Sequence, residues 1–277
     1  MGSFSEKKYW ALILGGSSGF GLAAAKKLAE QGMNIFIVHK DRRGSMNEIE
    51  PEFEKIRSTG VNFIALNNDA LTETGRTEIL SELSNALAGN GKIRLLLHSI
   101  AYGNLKPLIP FKGSKETDTA LLEEEDFGRT IFSMGTSLAV WAKAIFDKKY
   151  FAGDSRIIGL TSEGSSVAWK GYAAVSMAKG VLENLCRSMA VEFAPYGIRT
   201  NIIQAGVTDT PALRMIPGSK KVAAFARSRN PFGRLTTPED VAGVIYLLCM
   251  DESSWINGAI IRADGGEQIA GGLTDSD

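Results

Sequence analysis

Tyr172 and Lys179 stand seven residues apart in the stretch GYAAVSMAKG. A phenol can give a hydrogen bond or a proton to an oxygen that is gaining charge, and an ammonium can stabilise the anion that forms. Seven residues is almost two turns of helix, so the two side chains can share one face. Val175, four residues before Lys179, has no proton to give. Relative to a four-residue spacing, the phenol moves away from the lysine by about one turn, roughly 4–5 Å.

A second constellation lies near the N-terminus. LILGGSSGFGLAAAKKL reads as a strand, a glycine-rich turn and a helix, with Gly15, Gly19 and Gly21 in the spacing GxxxGxG. Glycine allows a tight turn and close approach of backbone to phosphate. The helix N-terminus offers free amides and partial positive charge to a pyrophosphate. In this strand-turn-helix setting the pattern points to dinucleotide binding.

The elements that must position these groups alternate along the chain. YWALILG, NIFIVH, VNFIALNND, IRLLLHS, SRIIGLTS, IRTNIIQAG and GAIIRAD read as strands. Helical stretches separate them, including a long helix over about 124–149 and another over about 172–193. Strand–helix alternation predicts right-handed crossovers and an α/β fold, a doubly wound parallel sheet of Rossmann type. The 277 residues are read as a single domain, 1–277. Two polar loops, 103–119 and 211–231, follow strand C-termini, where such sheets bind ligands. The second is long enough to call for a short helix near 220–227.

Composition narrows the classes. Lys plus Arg and Asp plus Glu number 31 each, so the formal net charge is zero. That gives no support to a nucleic-acid or membrane-surface partner. No apolar run approaches a membrane span. MGSFSEKKYW carries no apolar secretory core, and Glu6 stands where a myristoylation signal wants serine or threonine. A reducing cytoplasm is the expected location. Cys186 and Cys249 lie in apolar helical patterns and are expected as buried free thiols. His39 and His98 are the only histidines, too few for a histidine-based metal centre, and no metal ligands are assigned.

Over almost its whole length the chain resembles the short-chain dehydrogenase/reductase superfamily. LGGSSGFG resembles its TGxxxGxG, with Leu14 in place of threonine, and NNDA carries Asp69 where that family contacts adenine. GRLTTPEDVAGVIYLLCMDESSWINGAIIRADGG resembles its C-terminal pattern almost block for block. The resemblance implies cofactor contacts at Gly15, Ser17, Ser18, Gly19, Phe20, Gly21, Asp69, Ala70, Ser99, Ile100, Ala101, Lys179, Gly206, Val207 and Thr210. Thr210 matches the threonine that fixes the nicotinamide carboxamide.

Cofactor choice is read after the second strand. An acidic residue there would bond a ribose 2′-hydroxyl, and basic residues accommodate a 2′-phosphate. His39 occupies the expected acidic position in IVHKDRRG, followed by Lys40, Arg42 and Arg43. The reading favours NADPH. Asp41, if it points inward, would favour NADH.

In carbonyl reductases of this superfamily a Ser-Tyr-Lys set has tyrosine four residues before lysine. Ser162 and Lys179 match that set and Val175 does not. The Tyr-x6-Lys spacing resembles instead the enoyl-acyl-carrier-protein reductases, and LHSIAYG and AYGNLKPL resemble segments of that branch, the latter its NADPH-dependent, ketoacyl-reductase-like form. The relay asparagine of many members is missing, with Ser133 in its place. The resemblance implies that Lys179 holds the nicotinamide ribose, that Tyr172 bonds the thioester carbonyl and enolate, and that Ser162 bonds the same oxygen or orders water.

In ketone reduction, hydride reaches the carbon bearing the oxygen. In 2-enoyl thioester reduction it reaches Cβ, and charge develops on an oxygen two carbons farther on, which suits a displaced phenol. The implied role is fatty-acid synthesis with an acyl thioester, carried on acyl carrier protein, as substrate. A carbonyl or 3-oxoacyl reductase using Tyr172, or a cofactor-binding regulatory protein without turnover, are the competing readings. Apolar residues on several faces of the helices around Trp141 and Lys179 predict a homo-oligomer, a tetramer by family resemblance.

Overall fold

A computed structural model describes residues 2–112 and 120–271. Seven strands form one parallel sheet in the order β3-β2-β1-β4-β5-β6-β7. They are β1 (Tyr9–Leu14), β2 (Asn34–His39), β3 (Phe63–Asn67), β4 (Lys92–His98), β5 (Phe151–Thr161), β6 (Ile198–Ala205) and β7 (Ile260–Ala263). The strand order reverses direction at β1 and β4, where Leu14 pairs with His98. Connections diverge there and leave a crevice beyond the strand C-termini, the ligand position in open α/β sheets.

Helices cover both faces, which is why the central strands are apolar on both sides. One face carries α1 (Gly19–Glu30), α2 (Met46–Arg57) and α9 (Pro238–Cys249), packed on Ala11, Ile13, Ile35 and Leu95. The other carries α3 (Glu73–Ala86), α5 (Ser137–Asp147) and α6 (Ala173–Phe193), packed on Leu12, Leu14, Leu96 and Ile157. Leu138, Trp141 and Ile145 all turn inward to this second core, and Val140 remains half-buried. Both cysteines are buried and free. Among the described residues no helix is long and apolar enough to cross a membrane.

The long helix expected over 124–149 is not uniform. It runs as α4 (Glu124–Ile131), a π-helical turn (Phe132–Thr136) and then α5. α6 crosses closely at this turn. A Cβ on Gly135 would lie 3.0 Å from Ala178 O. The widened turn and its glycine let the two backbones meet. The loop 211–231 contains α7 (Pro211–Arg214) and α8 (Ser219–Arg229), the latter where a short helix was expected. Residues 113–119 of the other loop lie outside the described residues.

Toward the N-terminal ends of the central strands β4 and β5, two arginines are almost fully buried. Arg94 and Arg156 are each 1% exposed. They donate to Cys249 O at 2.6 Å and Leu248 O at 2.7 Å, satisfying the carbonyls that end α9. Asp154 receives Arg94, Arg156 and Arg199 together. Burial pushes the Asp154 carboxyl up, but the hydrogen bonds from Arg156 and Arg94 outweigh it and hold the group below the ordinary carboxylate range. A depressed carboxyl stabilises the fold above its unfolded-state pKa, and that contribution is lost as pH falls through the lowered folded value. Asp154→Ala leaves two buried guanidinium groups without their shared anion and should cost about 3–5 kcal/mol in urea unfolding at neutral pH. The deficit should shrink in acid, and a neutral-pH loss under 0.5 kcal/mol, the scale of an ordinary surface change, would refute the role.

Candidate active site

The crevice is bordered by four strand ends. After β1, Gly15 takes φ +87, a left-handed conformation that favours glycine. A Cβ there would lie 2.5 Å from Ser99 O, and one on Gly21 would collide with Gly15 O. Glycine at both positions lets the first turn of α1 sit directly on the strand end. Ser18 precedes α1 in an extended conformation, makes no side-chain cap, and the first turn holds no acidic residue. The free amides and the helix dipole are therefore available to an anion. Ser17 is half-buried, Ser18 exposed and Phe20 half-buried along this turn. Thr210 overhangs it, with its Cγ2 3.5 Å from the position a Gly19 Cβ would take, and caps α7 by accepting Leu213 N–H at 3.3 Å. This cradle fits the pyrophosphate of a dinucleotide.

The β2 end differs from its sequence expectation. The His39 side chain is buried, packs edge-on against Phe53 and bonds Asp41 through Nδ1 at 2.9 Å. It joins the core, because the strand's alternation turns it under the sheet, and it does not present its ring to a 2′-phosphate. Asp41 is occupied by the same contact. Lys40 reaches across to Asp69 at 2.6 Å. Burial pushes the Asp69 carboxyl up, but Lys40 and Leu71 N–H hold it below the ordinary range. Arg42 and Arg43 are exposed and make no ion pair among the described residues. Ala70 is buried, and its carbonyl accepts Trp141 Nε1–H at 2.9 Å. Ser99 N–H donates to Leu14 O at 2.8 Å, with Ile100 half-buried and Ala101 exposed beyond it.

The candidate catalytic side is built from β5 and α6. Lys179 is 8% exposed and donates from Nζ to Leu160 O at 2.7 Å. Burial lowers it to about 8, partly offset by Glu183 one turn along α6. Glu183 itself accepts the Thr161 hydroxyl at 2.6 Å. Tyr172 stands just before the first turn of α6, with its ring against Gly164. Burial raises its phenol above the ordinary value, with the Ser162 hydroxyl pulling the other way and Glu163 adding to the rise. Ser162 Oγ is buried and meets hydrogen-bond geometry with no partner, although it is close enough to act on the phenol. A buried hydroxyl left open in this way is suited to a substrate oxygen. Val175 is 4% exposed, in an apolar cluster with Met134 and Ala178.

His98 lies fully buried at the end of β4. Burial, reinforced by the Lys179 charge, lowers it to about 3, so it is neutral. Its Nε2 is 2.7 Å from Ser137 Oγ, which donates to Ser133 O at 3.0 Å. Because that hydroxyl proton is spent on Ser133, His98 Nε2 is the donor of the pair. Ser133 donates to Tyr102 O and Thr130 O. Ser133 is thus committed to backbone acceptors, and Lys179 is held by Leu160 O.

One feature escaped sequence reasoning. Arg229 at the end of α8 bonds both Glu163 and Glu267, and Glu267 accepts Val207 N–H at 3.1 Å beside Gly206. Arg229 is 66 residues from one partner and 38 from the other, so no spacing rule could pair them.

The packing of Tyr172 on Gly164 yields a test without touching a polar atom. A Cβ at Gly164 would overlap the ring's Cε1. Gly164→Ala should lower turnover about 10²-fold by misplacing the phenol, while cofactor binding persists. Unchanged kcat would show that this ring position is immaterial.

The family model for enoyl-(acyl carrier protein) reductase matches residues 15–268. The cis-4-hydroxycyclohexanecarboxylate dehydrogenase of Sinomonas cyclohexanicum is 30% identical, across 95% of this chain and 97% of the relative. A probable 2,4-dienoyl-CoA reductase of Bacillus subtilis is 29% identical, across 95% of this chain and 98% of the relative. The solved enoyl-[acyl-carrier-protein] reductase (NADH) of Aquifex aeolicus superposes with a TM-score of 0.76 at 25% identity, covering 95% of this chain and 97% of that one. With the match running from the glycine turn past the last strand, the chain belongs to the enoyl-(acyl carrier protein) reductase family of the short-chain dehydrogenase/reductase superfamily, and it is an oxidoreductase.

Proposed function

We propose that this protein reduces the 2,3-double bond of a 2-enoyl thioester, with NADPH as reductant and acyl carrier protein as the carrier. One observation carries the reading. The four-residue position before Lys179 is filled by Val175, buried among Met134 and Ala178, and the available acid is Tyr172 at the start of α6. A phenol set back by about one turn suits a reaction whose charge develops two carbons from the carbon being reduced.

The glycine turn with the α1 N-terminus, the Val207 loop and Thr210 would hold the cofactor. When bound, the reduced nicotinamide supplies the hydride equivalent. Tyr172, its phenol raised by burial, stays protonated at neutral pH and donates a hydrogen bond to the thioester oxygen. Lys179 keeps its charge below about pH 8 and stabilises negative charge from the same helix. Ser162 Oγ, with no partner of its own, bonds the same oxygen.

The Sinomonas relative, named as a dehydrogenase of a hydroxycyclohexanecarboxylate, favours a second reading, carbonyl reduction with Tyr172 as acid. Rates with crotonyl and acetoacetyl thioesters separate the two. The proposal expects crotonyl to be the better substrate, and Tyr172→Phe to lose about 10²–10³ in kcat while still binding cofactor. Preference for acetoacetyl, or near-normal crotonyl reduction by Tyr172→Phe, would overturn it.

The preference for NADPH is supported by the exposed basic turn of Lys40, Arg42 and Arg43. Lys40 also neutralises Asp69, which would otherwise repel a phosphate. Neutralising all three residues should cut the NADPH-to-NADH ratio of kcat/KM by about tenfold or more, the worth of one charged hydrogen bond. Wild-type activity with NADH that equals that with NADPH would reduce the turn to surface charge.

A further inference from the structure

Arg229 ends α8 and pairs with carboxylates from two other segments, the turn after β5 and the turn after β7. Its Nη2 donates to Glu267 Oε1 at 2.8 Å and to Glu163 Oε2. The side chains of Arg229 and Glu163 are each 12% exposed, and that of Glu267 is 2% exposed. Charges this poorly hydrated are costly unless paired. Two carboxylates share one guanidinium, so the loss of Arg229 leaves both uncompensated. The two arms lead to different places. Glu267 uses its second oxygen to hold Val207 N–H. Glu163 follows Ser162, in the turn whose Gly164 supports the Tyr172 ring.

We propose that Arg229 is a positioning residue that locks α8, the Val207 loop and the Glu163 turn into one arrangement, so that the cofactor loop and the acid are set together. This rests on the reading of Tyr172 as the acid and of Val207 as part of the cofactor site. Glu163 lies in the turn after β5 whose Gly164 meets the Tyr172 ring, and it pairs with Arg229 of α8, which also pairs with Glu267. Glu163 is the one whose charge acts on the phenol, and Arg229 is its counter-ion. Without that counter-ion Glu163 opposes negative charge at the substrate oxygen. Without it Glu267 also loses the contact that aims its carboxylate at Val207.

The test uses full-length protein, NADPH binding followed by nicotinamide fluorescence without substrate, and turnover of whichever thioester the wild type reduces. Arg229→Gln should weaken NADPH binding about tenfold, the scale of one lost hydrogen bond, and lower kcat about 10²-fold. The two losses should separate on rescue. Adding Glu163→Gln to Arg229→Gln should recover kcat without recovering NADPH affinity. Adding Glu267→Gln, whose amide oxygen still accepts Val207 N–H, should recover affinity without recovering kcat. Arg229→Lys, which keeps the charge but not the fork, should fall between wild type and Arg229→Gln; it carries the test if Arg229→Gln does not fold. Wild-type affinity and kcat in the Arg229 variants would overturn the proposal. So would rescues in which both quantities recover together in step with melting temperature. If wild type binds NADPH but does not reduce crotonyl thioester, the enoyl-reductase reading falls, while the Glu267 arm is still decided by the binding data.

Discussion

Lys179 carries its ammonium into the protein interior, where an unpaired charge costs several kcal/mol, and Leu160 O is the group that receives it. That single bond ties the middle of α6 to the end of β5. Leu160 is itself held in the parallel ladder by its pairing with Ile203 of β6. The helix register is thereby set against the sheet, and with it the place of Tyr172 almost two turns earlier. The same buried charge helps to hold His98 neutral, in the tautomer whose Nε2–H donates to Ser137. Tyr172 and Lys179 keep a fixed relation to β5 because one desolvated group admits one docking of the helix.

The cofactor side is organised by a different constraint, the closeness of two backbones. Gly15 and Gly21 let the first turn of α1 sit on the end of β1, and Ser99 O closes the gap from β4. No side chain is needed to make this cradle. The turn after β2 borders it. There Lys40 and Asp69 cancel each other, and His39 takes Asp41 out of reach. The two halves meet through the C-terminal turn, where Glu267 joins the Val207 loop to Arg229 and the acid's own turn.

At the N-terminal ends of the central strands, Asp154 gathers three arginines while two of them close the carbonyl end of α9. Chemistry and this polar staple occupy opposite ends of the same strands. The arrangement lets the crevice keep open, underused polar groups such as Ser162 Oγ while the opposite end supplies stability.

Much of this protein is legible in its sequence because the features concerned are local. Strand and helix alternation follows from periodicity over a few residues. The glycine turn depends on neighbours in the chain, and the absence of an acid at Val175 is visible by position alone. Tertiary structure decides what depends on distant partners. His39 faces Phe53 because of how α2 packs, and the π turn at Phe132–Thr136 answers the approach of α6. Lys40 finds Asp69 across 29 residues. Glu163, Arg229 and Glu267 come from three segments that only the folded chain brings together. A charge has no periodicity to announce its partner; its pairing is settled by desolvation, and desolvation exists only once the chain has folded.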